Sequence, residues 1–406
     1  MAVLAALLAG GVAQASAQPQ LPPGWGAYHW GGAHGEDAMQ RLAGAQGQLA
    51  AQGFTTARLV LSPRLRNGRP ADNPYGLRID ASAPGCAPTD PFLPCAIRQP
   101  AVQAAIAPPA LRTVVLTAYD AAAIGAQGES ARYLDPDFWR DDAGRDAVRR
   151  EYRELTLALY QTQQRSGKTF VIASWEADNQ AYCGAFLRYA QDAALRRQCG
   201  DLSTRAQALG ALREWFRARQ AGIREGRALA AAAGLGGMTV ADGIEFNANT
   251  LTYDYRVDGR PMPSVLRDIV PALRPDVVLY SAYDSQHRGA MAGDLRQLRD
   301  WLATAAPGAL FGIGEFGWRG QGTDFLAATR LLATAQEVLQ VGLPIVVLWA
   351  AFDPPGDPPA HDYGMLNADA TPRRVLRMLQ DCLVPAPPVS TPPDATPRQR
   401  ARETCH

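Results

Sequence analysis

Eight apolar runs divide the chain, at residues 24–30, 54–61, 113–117, 169–175, 238–246, 276–282, 310–314 and 344–350. Most are apolar throughout rather than alternating with polar residues, which marks strands buried on both faces and points to a parallel sheet. Stretches with helical periodicity separate or follow them, at 36–52, 101–107, 145–165, 204–233, 264–272, 295–305, 324–341 and 372–383. Gly53 and Gly234 stand where helix C-caps belong, and Ser166-Gly167 breaks the helix before the fourth run. A strand-then-helix rhythm repeated eight times predicts a single (β/α)8 TIM barrel with long βα loops, and an open doubly wound sheet is the alternative. The longest interruption, residues 64–100, is rich in Pro, Gly and Asp and reads as a functional loop.

Outside the repeats the pattern changes. Residues 1–17 are apolar and Ala-rich and end in Ala15-Ser16-Ala17, the form of a secretory signal cleaved before Gln18. A periplasmic or secreted protein is therefore expected, with no membrane span once the signal is removed. The barrel then occupies 18–383, and 384–406 form a Pro-rich tail. Six cysteines fit an oxidising compartment. Their spacing groups Cys86 with Cys95, Cys183 with Cys199 and Cys382 with Cys405. Neighbour pairing is one of many connectivities, and free buried cysteines are the alternative.

Composition mainly excludes. A net charge of +1, with no basic run, argues against nucleic-acid or membrane-surface partners. The five histidines, His29, His34, His287, His361 and His406, have no metal-ligand spacing, and the cysteines form no CxxC. Gly312-Ile313-Gly314-Glu315-Phe316-Gly317 matches the letters of a dinucleotide fingerprint, but it places a carboxylate in the phosphate cradle and opens no helix. Neither cofactor nor metal is expected, and the chain is expected to act as a monomer.

The candidate chemistry lies where the apolar runs end, since barrels build their sites at the carboxyl ends of strands. Two of these ends deliver a glutamate: Ser174-Trp175-Glu176, and Gly314-Glu315-Phe316-Gly317-Trp318. The other ends supply His29, Arg58, Tyr119, Asp120, Glu245, Asn247, Tyr283 and Trp349. Indoles stack on the C–H faces of pyranose rings, polar groups meet hydroxyls, and two carboxylates are what glycosidic hydrolysis requires. Glu245 is a rival for the acid role, with its side chain expected toward the helices if it is not.

These residues resemble clan A glycoside hydrolases, in the style of the cellulase-like family 5. The resemblance rests on Glu176, Gly-Glu-Phe-Gly-Trp at 314–318, Arg58, Tyr283, Trp349 and the stretch from Tyr363 to Pro372. It implies retention, with Glu176 as acid/base and Glu315 as nucleophile. Arg58 and Tyr283 would orient Glu315, and Trp349 would floor the sugar site. His29 and Trp318 join the substrate-binding set. The family's asparagine before the acid is Trp175 here, so Asn179 or Asn247 would supply the contact to the sugar 2-hydroxyl. Ser281-Ala282-Tyr283 stands where many members carry histidine. The expected substrate is a β-linked oligo- or polysaccharide. The rivals are a hydrolase that pairs its carboxylates differently and a lapsed barrel that only binds glycan.

Overall fold

The computed structural model describes residues 21–29, 38–63, 86–87, 90–124, 131–353, 362–367 and 369–383. The expected signal at 1–17, the expected tail at 384–406, Cys405 and most of the 64–100 loop lie outside them. All eight apolar runs become strands: β1 Trp25–Tyr28, β2 Thr56–Leu61, β3 Thr113–Ala118, β4 Thr169–Ala173, β5 Thr239–Phe246, β6 Val277–Ser281, β7 Leu310–Phe316 and β8 Val346–Leu348. They pair in parallel in that order, and β1 closes onto β8. The fold is a (β/α)8 barrel.

Local chemistry accounts for where the elements depart from the sequence pattern. The fourth run leaves the sheet after Ala173, so Ser174, Trp175 and Glu176 form a turn before the helix Ala177–Ala181. The stretch 264–272 is not one helix. It is a wide turn, Val265–Ile269, followed by the short helix Val270–Leu273, because Pro271 has no N–H to continue an α-helical ladder. The 64–100 loop is not wholly irregular either: Phe92–Arg98 is helical, and Phe92, Leu93, Cys95, Ala96 and Ile97 are buried.

On the outer layer the helices Asp142–Thr162 and Leu202–Ala232 lie against each other. A Cβ on Gly222 would sit 2.1 Å from the Arg149 carbonyl oxygen, and one on Gly226 would sit 2.6 Å from that of Arg153. Both helices start at an aspartate cap, with Asp141 accepting from the Ala143 N–H and Asp201 from the Thr204 N–H.

The cysteines divide. Cys86 and Cys95 are bridged. Cys183 and Cys199 are not, contrary to the neighbour pairing. They remain adjacent thiols, with an Arg205 amine donating to Cys183 Sγ at 3.5 Å. Burial pushes the Cys199 thiol up to about 11, and its hydrogen bond with Cys183 adds to that. Cys382 is disulfide-bonded, and its expected partner lies outside the described residues. No helix among the described residues is long and apolar enough to cross a membrane.

Candidate active site

The carboxyl ends of the strands bring three glutamates and one arginine together in the barrel mouth. Side chains alternate along a strand, so residues 242 and 245 of β5 point to opposite faces. Asp242 turns outward to Arg219 on the helix Leu202–Ala232, while Glu245 turns inward. The expectation that Glu245 faces the helices is thus overturned. Its side chain is fully buried against Arg58 of β2, which it meets with both carboxylate oxygens. Ser281, at the end of β6, donates to the same carboxylate at 2.6 Å.

Glu315 is aimed by an irregularity in β7. The pairing register with β6 slips between Ile313 and Glu315, and that with β8 slips over the same residues. Such bulges re-aim side chains beside active sites. Gly314 lies in this stretch for a steric reason: a Cβ there would fall 2.3 Å from Glu245 Oε1 and 3.0 Å from Arg58 Nη1. Glu315 itself is 3% exposed. Its Oε2 accepts from the Tyr283 hydroxyl at 3.4 Å, and Oε1 lies 3.5 Å from Arg58 Nη1 with no hydrogen-bond partner among the described residues.

Glu176 takes its place from the turn after β4, with φ at 25°, a value seldom adopted by non-glycine residues. The turn is pinned on all sides. The Trp175 N–H donates to the Tyr119 hydroxyl at 3.1 Å, and the Trp175 carbonyl accepts from Gln180. Asp178 accepts three backbone N–H groups, from Val265 at 2.7 Å, Asn247 at 3.0 Å and Ala248 at 3.3 Å, which ties this turn to the loop after β5. Asn179 gives its side-chain N–H to Glu176 Oε2, and its side-chain oxygen accepts from the Phe186 N–H at 2.8 Å.

The electrostatics follow from burial and crowding. Burial, then repulsion from Glu245, pushes Glu176 up to about 8, opposed by a hydrogen bond from Asn179 and by the Arg58 charge. Glu315 is raised well above the carboxylate range, by burial first. Arg58 pulls it down, and Glu176 and Glu245 push it further up. Burial works against the charge of Arg58, but Glu245, Tyr28 and Glu315 favour it more strongly. Its guanidinium also lies over the Tyr28 ring, 4.3 Å from the centroid.

Several expected substrate residues are placed differently. Asn179 spends its side chain on Glu176 and Phe186, and Asn247 Oδ1 accepts from the Asn179 N–H at 3.0 Å, so both brace the acid's turn. Trp318 directs its indole N–H onto Thr334 of the helix Phe325–Val341, at 3.1 Å, with its ring beside His287 and Arg330. His29 is buried with its ring edge-on to Phe352 at 5.5 Å, and burial lowers it to about 4. Arg58, expected to orient Glu315, gives its hydrogen bonds elsewhere. Trp349 sits half-buried at the end of β8, edge-on to Tyr28 at 5.0 Å, and the peptide bond after it is cis. Tyr283 and Trp175 are half-buried. Ser281, Asp178 and Gly314 carry roles that no sequence motif announced. No group of His, Cys, Asp and Glu among the described residues is arranged to hold a metal.

No family model matches the chain. No match is found among curated proteins. Solved structures are similar in fold. An exo-β-1,4-mannosidase from Opitutaceae bacterium strain TAV5 is 14% identical, with a TM-score of 0.51 over 88% of this chain and 58% of its own length. The chain therefore spans little more than half of that enzyme. A Bacteroidetes-affiliated GH5 cellulase linked with a polysaccharide utilization locus is 16% identical over 94% of this chain and 95% of its own, at a TM-score of 0.49. A GH5-4 broad-specificity endoglucanase from Clostridium longisporum is 10% identical over 96% of this chain and 97% of its own, also at 0.49.

Proposed function

We propose that the protein is an exported retaining glycoside hydrolase that cleaves a β-linked oligo- or polysaccharide by double displacement. The observation that carries the reading is the meeting of Glu176 and Glu315 from the ends of β4 and β7. Glu176 comes near enough to raise the affinity of Glu315 for a proton, and Glu315 keeps one oxygen without a donor among the described residues. Two carboxyl groups in such different surroundings are suited to opposite roles.

In the first step Glu315 Oε1 attacks the anomeric carbon, and the glycosidic oxygen leaves with the proton of Glu176. A glycosyl ester on Glu315 results. Glu176, now ionised, takes a proton from water, and the oxygen of that water attacks the anomeric carbon and frees Glu315. On this reading the negative charge lies on Glu315: burial raises that carboxyl, but Arg58 at 3.5 Å and the Tyr283 hydroxyl favour its ionised form. Glu176, raised to about 8, then holds its proton at neutral pH. Trp349 and Trp175 offer apolar faces to the sugar. The Cys86–Cys95 bridge supports export, since such bonds persist in oxidising compartments.

The test is reducing-sugar release from a panel of plant and bacterial polysaccharides. β-1,4-Mannosides head the panel because of the mannosidase likeness. Wild-type turnover that is abolished in Glu315→Gln supports the assignment, and the anomer first released, read by NMR, reports retention. Turnover that survives in Glu315→Gln places the nucleophile elsewhere. Binding of glycans without turnover replaces the hydrolase with a glycan-binding barrel.

A further inference from the structure

Three carboxylates share one guanidinium at the barrel mouth, and its hydrogen bonds bypass the proposed nucleophile. Arginine has five N–H donors, and all of them are taken. Nε donates to Thr117 Oγ1 at 3.0 Å. Nη1 donates to Glu245 Oε1 and to the Gly314 carbonyl, both at 2.9 Å. Nη2 donates to Glu245 Oε2 and, at 3.2 Å, to the Ser174 carbonyl. Glu315 feels the charge of Arg58 across 3.5 Å but receives no hydrogen bond from it. The carboxylate that does receive them, Glu245, has no contact with solvent.

We propose that Glu245 is a positioning residue that withholds the Arg58 donors from Glu315 and thereby sets the pH window in which Glu315 is ionised while Glu176 is protonated. The inference rests on the hydrolase reading for its catalytic consequence, though not for its electrostatics. The groups that face the cluster come from all the elements around it. Tyr28 of β1 lies under Arg58, and Thr117 of β3 accepts from it. Glu176 approaches from the turn after β4, and Ser281 and Tyr283 from the end of β6. Glu315 comes from β7, and Tyr363 acts on Tyr283 from beyond β8. Among the described residues Arg58 is thus the cation that binds Glu245, faces Glu315 and lowers the proton affinity of Glu176 through its charge, and whichever carboxylate holds it decides the proton balance of the others.

Glu245→Gln removes one negative charge from the cluster and leaves one Arg58 donor without its carboxylate oxygen. With the amide nitrogen in the place of Oε1, the freed N–H is that of Nη1, 3.5 Å from Glu315 Oε1. Ionised Glu315 is then favoured, and Glu176 loses the Glu245 charge that repels its ionised form. Both limbs of the kcat/KM profile are therefore expected to move to lower pH, by about one unit or more. Glu245→Asp keeps the charge but shortens the reach to Arg58, so its acidic limb is expected between those of the wild type and Glu245→Gln. Loss of a merely structural contact would lower kcat at every pH and leave the limbs in place.

The experiment is a pH–rate profile of the wild type and both variants, with thermal melts to confirm folding. It is paired with carboxyl chemical shifts of 13C-glutamate-labelled protein titrated over the same range. The Glu315 resonance is identified by its loss in Glu315→Gln. Limbs and resonance that move down in the order Asp then Gln support the proposal. Active variants with unmoved limbs overturn it and leave the hydrolase reading intact. A wild type without turnover defeats that reading, and the Glu315 resonance then decides the role of Glu245 alone: an unmoved titration overturns it. If Glu245→Gln does not fold, the same criteria are read on Glu245→Asp.

Discussion

The molecule contains two buried acid pairs, one at the barrel mouth and one where Asp120, just past β3, meets Glu151 of the helix Asp142–Thr162, and their contrast is instructive. Glu176 is raised to about 8 by burial and the neighbouring Glu245, and Glu151 is raised to about 8 by burial and the neighbouring Asp120. By proton affinity the two are indistinguishable, yet their donors differ. Glu151 Oε1 accepts from the Leu93 N–H at 2.9 Å, and Oε2 accepts from the Ala121 N–H at 3.0 Å. Asp120 accepts from the Ala123 N–H at 2.7 Å and the Trp215 indole at 2.8 Å. Those oxygens are met by donors fixed in the outer layer of helices. At the barrel mouth, Glu176 is held by a side-chain amide, and Glu315 Oε1 has no donor among the described residues. A raised proton affinity reports burial, whereas a lone pair left available marks the pair that can react.

The sharpest way to break this contrast is to neutralise one acid in each pair. Glu315→Gln is expected to lose at least about three orders of magnitude in kcat/KM with little change in melting. Glu151→Gln is expected to keep kcat/KM within a few-fold. It leaves one of the two backbone N–H groups facing an amide donor, and so costs about 1–3 kcal/mol of stability. Matched rate constants and melting curves read both effects. Should Glu151→Gln abolish turnover while melting normally, the division into reactive and structural acids fails.

The pH dependence of stability gives a finer separation. The folded protein holds the Glu151 proton up to about 8, against an ordinary value of 4.5. The folded state therefore binds this proton more tightly than the unfolded chain. That contribution is fully present below about pH 4.5 and is lost as pH rises through about 8. The wild-type melting temperature is expected to fall between about pH 4.5 and 8, and Glu151→Gln should melt with a shallower slope over that interval. An unchanged slope would assign the linked proton to other buried carboxyls, Glu176 and Asp178 among them.

How much of this was legible in the sequence depends on the range of the interaction. The eight strands were legible because a buried parallel strand must be apolar along its length, and such a run is visible in one dimension. Glu176 and Glu315 were legible as carboxylates ending such runs. The embrace of Arg58 and Glu245 was not, because the two are 187 residues apart and meet only through closure of the barrel. The parity of residues 242 and 245 on β5 was available, but it needed one outward-facing anchor, Arg219, to say which of the two turns in. Gly314 was visible as a glycine, but the oxygen that forbids a Cβ there comes from another strand. Asn179 and Asn247 were noticed as polar residues near the acid. Their orientation toward the protein rather than the cleft depends on the three N–H groups that Asp178 gathers, and no local pattern encodes that.

The smallest effect concerns how the reactive acid is held. Asn179 donates to the carboxylate of Glu176, and a donor to the charged form favours ionisation. In Asn179→Ala that support is gone, so Glu176 keeps its proton to higher pH and the alkaline limb of kcat/KM moves upward. One lost hydrogen bond of about 1 kcal/mol corresponds to roughly a fivefold fall in kcat near the optimum. Asn247→Ala is the matched control, because Asn247 Oδ1 accepts from the backbone N–H of Asn179 and its removal leaves the amide on Glu176. A limb that rises in Asn179→Ala and stays in Asn247→Ala assigns the effect to the amide. Equal movement in both would assign it to loosening of the turn, and would bring the barrel-mouth acid closer to Glu151, whose carboxyl is held by backbone N–H groups.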